Sequence, residues 1–507
     1  MFRLPNLKLV LTATLSLGAL SLPTALAEAP EDRQLSPTQV ARDVELAEEA
    51  YSRIHPGYTR YAAETDMRGA WQTLIDKAEA EGGMSLGDFY LESNRVLTNI
   101  RCDHTKAELP QDMAEDRKTS PVYLPMRWEM VEGRGFVSIP GEGSGLEYGD
   151  EIIAIDGQAL SERVDAVLPF LPFDGNTEWV RYNEAAQSYE FRGGGVDHFG
   201  ALIWDTQATT ALTIKRGDAE PKTINVDRIT HPEWRKLGAG EIGASNFKDA
   251  VSFTRIGDTA GYLRVDTFVN YRSPVKPDTL YDPVFKALKD EGRETLIVDL
   301  RRNGGGSNDA ANRLAAHLMS KKAPMMKDIR VKTLNHKGLE EYLTTWDSRA
   351  LNPNRLGFKT NDDGTYSMRA FVNEDLKAIK PDKTAFTGQL ILLTSSKNSS
   401  GSTHLLTFMK DKNPDALMIG ETTGGSSEGA TAGVIFYLKL PESGITMRIP
   451  FMQSFVNVDS FDAGLGVTPD VQAPMTVEAF LDQRDPALER ALIEAGVSQE
   501  FDIDLLK

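Results

Sequence analysis

The sequence predicts an α/β protein in three regions: an N-terminal helical region, a small β-domain, and a larger core where strands and helices alternate. Three observations carry this. Between about residues 44 and 99 apolar side chains recur at helical spacing. From 121 to 230 short β-rich runs alternate with glycine turns. Beyond about residue 248, buried-type strands lead through polar or glycine-rich loops into helices, the pattern of a largely parallel sheet. The 507 residues leave room for two to four domains, and 40% hydrophobic with 26% charged residues is ordinary for a soluble globular chain.

Residues 1–27 read as a secretory leader. Arg3 and Lys8 precede the apolar run Leu9–Leu22, Pro23 breaks it, and Ala25-Leu26-Ala27 suits a cleavage site. The run is shorter than the ~20 apolar residues of a membrane span. A periplasmic or secreted protein without a stable membrane anchor is therefore expected. Residues 28–40, rich in Pro, Glu and Ser, are expected to form a flexible lead-in to a helical region spanning 28–120. Within it Leu46, Tyr51 and Ile54 share a face, as do Trp71, Leu74, Ile75 and Ala78, then Phe89, Leu91, Val96 and Leu97. Gly82-Gly83 stops one helix and Ser85 caps the next.

In region 121–232, Gly135–Ile139 and Ala211–Arg216 are strands, and Gly145–Gly157 is a turn, a strand and a second turn. Residues 172–207, with aromatics and glycines but no period, are an insertion. In region 233–475, strands are expected at Ala260–Val265, Thr295–Leu300 and Gln389–Thr394, and helices around Val284–Leu288, at Asp309–Met319 and at Ser402–Lys410. Paired strands follow at 432–455, and Pro486–Ala495 is a helix in the tail 476–507.

Charge and cysteine content narrow the function. The net charge of −18 becomes more negative by two if the leader is removed, which argues against nucleic acid and anionic lipid as partners. The single cysteine, Cys102, excludes an internal disulfide, a four-cysteine zinc site and an iron–sulfur cluster. Neither H-E-x-x-H nor clustered His/Asp spacing is present, so no metal and no cofactor is expected.

Two loops carry chemistry, each between an apolar strand and a helix. Asp299-Leu300-Arg301-Arg302-Asn303-Gly304-Gly305-Gly306 is either a tight glycine turn or a set of exposed N–H groups for an anion. It lacks the spacing of a phosphate loop or a dinucleotide fingerprint. Ser395-Ser396-Lys397-Asn398-Ser399-Ser400-Gly401-Ser402 is either a helix cap or a nucleophile site, with Ser400 at the helix mouth and the Gly401 N–H facing a developing oxyanion.

These loops, followed by Ile419-Gly420-Glu421-Thr422-Thr423-Gly424-Gly425 and Gly466-Val467-Thr468-Pro469-Asp470-Val471, resemble the C-terminal processing peptidase and tricorn-core serine peptidase family in order and spacing over about 250–475. The Gly145–Gly157 stretch resembles part of a PDZ domain. The resemblance implies a crotonase-like core, a PDZ-like domain and peptide-bond hydrolysis by a tail-specific type of serine peptidase. It places the nucleophile at Ser400 and the oxyanion hole at Gly401 with Gly304 or Gly305. The processing-peptidase branch uses a lysine where this chain has Gly425, and no lysine lies between Lys412 and Lys439. The tricorn-like branch uses a histidine before the PDZ domain, in a segment resembling Asp103-His104-Thr105. His104 is then general base and acid. His404, four residues after Ser400, is the alternative base.

The acid that orients the imidazole stays open among Asp462, Asp459, Glu428 and Asp103. A peptide or protein substrate is expected, and the oligomeric state is not legible. The alternative is a non-catalytic module of the same fold that binds a hydrophobic ligand or peptide, as interphotoreceptor retinoid-binding protein modules do. The Gly401-Ser402-Thr403 sequence after the serine, where family peptidases carry Ala-Ala-Glu, keeps that reading open.

Overall fold

The computed structural model describes residues 29–188, 191, 193–239 and 243–497. The leader at 1–27 lies outside the described residues.

The expected flexible lead-in is instead ordered up to the first helix. Gln34–Leu35 pairs with Met84–Ser85, and the helix Pro37–Ile54 starts from a capping box between Ser36 and Gln39, with Pro37 in its first turn. Two further helices follow, Glu64–Glu81 and Leu86–Thr98. Gly82, at φ +76, ends the first of these in the left-handed conformation, and the Ser85 side chain caps the second by accepting from the Asp88 N–H. Local polar chemistry outweighs the disorder-prone composition of 28–40.

The β-domain is a sheet in the order Met126–Val131, Arg134–Pro140, Glu151–Ile155, Thr209–Lys215, Lys222–Asp227. Its insertion folds as short helices between the third and fourth of these strands.

The core holds two sheets. The first runs in the order Val251–Ile256, Ala260–Val265, Thr295–Asp299, Gln389–Thr394, Leu417–Gly420, Val471–Gln472; its first pair is antiparallel and the rest are parallel. Asp299 stands opposite Leu393 in register, so the glycine loop and the serine loop leave adjacent strands at the same end. That carboxyl end is where open α/β sheets place their sites. The helices Asn308–Leu318 and Ser400–Lys412 pack together on one face of this sheet, and Pro486–Glu494 covers the other. The second, antiparallel sheet pairs Thr431–Lys439 with Thr446–Val456.

The helical region does not stand alone. Ala107–Glu108 adds to the edge of Thr446–Val456, and the Tyr51 hydroxyl donates to the Arg448 carbonyl at 2.8 Å. One apolar cluster therefore runs from Tyr51 and Trp71 through the β-domain to Phe436 and Phe451. At the tail, Phe480 stacks on Tyr148 and packs with Val131 and Phe136, pinning the β-domain to the core.

Candidate active site

The serine loop hangs on Asn398, which is fully buried. Its amide nitrogen donates to the carbonyls of Leu300 (2.6 Å) and Asn303 (3.0 Å) and lies 2.9 Å from Ser402 Oγ. Its side-chain oxygen accepts from the Ser395 N–H, and its carbonyl accepts the N–H groups of both Gly424 and Gly425. One residue, through its side chain and its carbonyl, thus bolts together three motifs that the sequence presents separately.

The helix beyond it begins at Ser400, two residues before the sequence expectation. Ser400 has φ +49, a conformation that a residue with a Cβ adopts at a cost of about 1–3 kcal/mol and that recurs where a side chain must be presented. Its hydroxyl makes no hydrogen bond among the described residues, so it is available to a ligand.

Gly305, at φ +106, comes so close that a Cβ on it would stand 2.9 Å from Ser400 Cβ and 3.0 Å from the Gly401 nitrogen. Its own N–H is donated to Asn303 Oδ1 at 2.9 Å. Gly305 therefore supplies space beside Ser400 rather than a spare donor in this arrangement. Among the described residues no hydrogen bond uses the N–H groups of Gly304, Gly306 or Gly401. A Cβ on Gly401 would stand 3.7 Å from the Gly306 nitrogen, which puts Gly306 next to Gly401. Gly306 was not singled out by sequence, because in a run of three glycines only the backbone path shows which amide is committed.

The Asp103–His104 turn reaches this loop from the helical region. Asp103 Oδ2 accepts a hydrogen bond from the Ser399 hydroxyl, the neighbour of Ser400. Asp103 Oδ1 lies 2.5 Å from His104 Nδ1, but outside hydrogen-bond alignment. Adjacent residues lie side by side and cannot meet in line. Burial by itself would lower the His104 pKa; the Asp103 carboxylate, with help from Cys102, overcomes that and holds it well above the ordinary value. The turn is fixed from behind. Cys102 donates its S–H to the Thr431 carbonyl, and His55 Nε2 lies 2.9 Å from Thr105 Oγ1. His55 Nδ1 accepts the Gly57 N–H, so Nε2 carries the hydrogen, and burial pulls its pKa down to about 3.

The other candidates are engaged elsewhere or lie at the surface. His404 accepts the Ala430 N–H on Nε2 at 2.9 Å, and burial, with the nearby His104 charge, lowers its pKa to about 4. It is a neutral ring turned toward Ala430. Glu428 is committed to Tyr61 and Arg60. Asp462 and Asp459 are exposed, and their recorded contacts are made by backbone: the Asp462 carbonyl accepts from Ser427 Oγ and the Asp459 N–H donates to Asp411. Among the four carboxylates considered from sequence, Asp103 is the one beside His104.

The Cys102, Asp103 and His104 donor atoms lie within 4.8 Å of one another, a three-donor set from consecutive residues. The Asp103–His104 contact and the Cys102–Thr431 bond already engage it. A second grouping, Asp282, His317 and Asp382, is neutralised by the Arg313 guanidinium, which pairs with both carboxylates and so takes a cation's place.

Residues 259–473 match the model of peptidase family S41, and residues 120–237 match a PDZ domain. Among solved structures, mature CPAF aligns at 16% identity over 88% of this chain and 94% of its own, with a TM-score of 0.61. Mature CPAF complexed with lactacystin aligns at 15% over 90% and 97%, with a TM-score of 0.59. The photosystem II D1 C-terminal processing protease aligns at 16% over 87% and 94%, with a TM-score of 0.42.

Proposed function

From a chain that carries a peptidase family S41 domain over residues 259–473 and a PDZ domain over 120–237, we propose that it cleaves peptide bonds through an acyl-enzyme on Ser400. The observation that carries this is the convergence on one serine. Ser400 is held at positive φ at a helix start, Gly305 lies against its Cβ and Gly425 against its nitrogen, and the His104 turn is tied to the preceding residue through Asp103.

In the mechanism His104 takes the Ser400 proton as Oγ attacks the carbonyl, and the developing oxyanion sits against the Gly401 N–H at the positive end of the helix, with Gly304 or Gly306 as second donor. His104 then protonates the leaving amine, and water resolves the ester. Asp103 stabilises the imidazolium formed in each half-reaction. Resting-state catalytic contacts are often loose and tighten on substrate binding, which accounts for the unengaged Ser400 hydroxyl.

The PDZ domain takes a peptide C-terminus by strand addition, giving tail-specific cleavage. The leader-like segment 1–27 would deliver the protein to the periplasm or medium. No helix of the described residues is long and apolar enough to cross a membrane.

A fluorophosphonate probe tests the assignment. Labelling lost in Ser400→Ala and in His104→Ala but kept in Ser399→Ala supports it. An unlabelled wild-type protein that binds a hydrophobic ligand instead would make the chain a binding module of this fold.

A further inference from the structure

Residues 174–177, Asp-Gly-Asn-Thr, belong to the insertion of the PDZ domain, yet their hydrogen bonds go to the peptidase site. The Gly175 N–H donates to the Arg101 carbonyl at 2.9 Å, three residues before His104. Asp174 Oδ2 accepts the Ser426 N–H at 2.8 Å, and Thr177 Oγ1 donates to the Gly424 carbonyl at 2.7 Å. Between these, Gly425 lies so near the nucleophile that a Cβ on it would stand 3.2 Å from the Ser400 nitrogen. The Asn176 N–H donates to the Gly464 carbonyl at 2.7 Å, and Asn176 Oδ1 accepts from Arg101 Nη1 at 2.6 Å. Gly175, at φ +59, admits no side chain, because a Cβ would meet the Gly464 carbonyl at 2.5 Å. Four consecutive residues thus bridge the turn that carries the base and the loop that touches the nucleophile.

We infer that this turn is the clasp that sets His104 against Ser400, and that Asp174 is a positioning residue for the Asp103–His104 pair. The inference rests on the reading of Ser400 as nucleophile and His104 as base. It gives the PDZ domain a direct mechanical hold on the catalytic geometry, since the clasp is part of that domain's own chain.

The electrostatics agree with the geometry. Asp174 is buried, and burial together with the Asp103 charge pushes its pKa to about 7, while Arg60 and His104 pull the other way. The groups bearing on this pair are Asp103, Cys102 and His104 on the turn, Arg60 and His55 from the helical region, and His404 from the nucleophile helix. Above neutrality Asp174 is a carboxylate that favours imidazolium at His104. Removing its charge lets His104 lose its proton at lower pH.

The test is the rate of Ser400 labelling by a fluorophosphonate in the full chain, measured from about pH 5 to about pH 9, with thermal melting alongside. Asp174→Asn keeps an acceptor for Ser426 and removes the charge; the acid limb of the rate profile is expected to move to lower pH by about one unit. Asn176→Ala alters an exposed side chain and removes the link to Arg101; about tenfold slower labelling with unchanged melting is expected. A wild-type protein that labels at Ser400, with an Asp174→Asn profile superimposed on it and an unaltered Asn176→Ala rate, overturns the clasp and leaves the serine-peptidase reading standing. A wild-type protein that does not label overturns both.

Discussion

Replacing Gly305 by alanine loads strain directly onto Ser400. At φ +106 an alanine occupies backbone space open essentially to glycine, at about 1–3 kcal/mol. Its Cβ would stand 2.8 Å from the Ser399 carbonyl oxygen, 2.9 Å from Ser400 Cβ and 3.0 Å from the Gly401 nitrogen. Carbons rest about 3.5–4.0 Å apart, so Ser400 must retreat by about 0.6 Å or more. No side-chain rotation relieves this, because the atoms met are backbone or Cβ on a loop bolted by Asn398. Overpacking adds about 1–3 kcal/mol, for a total of about 2–6 kcal/mol. At about 1–2 °C per kcal/mol for a chain of this length, melting should fall on the order of 2–12 °C. Because misplacing reacting atoms by about an ångström costs about a hundredfold, labelling at a temperature where the variant is folded should slow by about 10–100-fold. Gly304→Ala is the control, since a Cβ there meets only the Lys397 carbonyl, at 3.7 Å. Thermal melting and fluorophosphonate labelling read both effects. A Gly305→Ala protein that melts and labels like the wild type, or a Gly304→Ala protein whose melting falls as far, would refute the reasoning.

Other outcomes follow from the same geometry. Because Asp103 holds His104 well above its ordinary pKa and the base must be neutral to act, labelling should rise with pH along a limb centred above about 6.5; a midpoint below that would contradict the pairing. His55 and His404 are neutral in the folded chain down to about 3 and about 4. The unfolded chain takes up protons at these rings below about pH 6.5 and the folded chain does not, so stability should fall as pH falls, by roughly 1.4 kcal/mol per unit per ring, until the folded values are passed. Asp174, pushed up to about 7 in the folded chain, works in the opposite sense over this range, so the check is a comparison: a His404→Gln protein whose urea midpoint follows pH between about 7 and 5 with the same slope as the wild type would count against this. Cys102 is buried, and burial raises its thiol pKa, so a disulfide reagent should modify it only on unfolding, and Cys102→Ala should still label. Phe480→Ala removes the ring stacked on Tyr148, at 5.0 Å between centroids, and should make the β-domain more susceptible to limited proteolysis while the core resists; equal digestion of variant and wild type would show that the tail does not hold the domain.

Periodicity alone made the regular elements legible. Gln389–Thr394 and Ala260–Val265 occur where their apolar runs and bounding turns put them, because a strand buried on both faces has no other composition available. The helix at Ser400 starts earlier than expected because its first residue takes a conformation that pattern reading assigns to a turn. The lead-in was misread because composition averages over Ser36, Pro37 and Gln39, whose positions relative to one another make a cap.

For the site, the order of motifs pointed to Ser400, His104 and the glycine loop, since each is a local spacing that a sequence displays. The choice of carboxylate was not legible. Asp462, Asp459, Glu428 and Asp103 stay open alike in the sequence, and it is the parallel sheet and the docked helical region that bring Asp103 to the serine loop. Asp174 lies more than two hundred residues before Ser400 in a stretch without a period, so nothing local ties it to the serine loop.

By itself, the sequence determined the α/β class, the two strand–loop–helix units and the acidic, nearly cysteine-free composition, and it singled out Ser400 as the proposed nucleophile, because these are carried by residue types and local spacings. Only the tertiary structure decided which glycine N–H is committed and which is spare, that His404 turns to Ala430, and that the PDZ insertion closes over the catalytic loops. The insertion meets those loops across 252 and 247 residues of chain, and even the two-residue Gly305–Asn303 bond and the 26-residue His404–Ala430 bond rest on a backbone path fixed by the packing of two sheets and a shared apolar core rather than by any local preference of the chain.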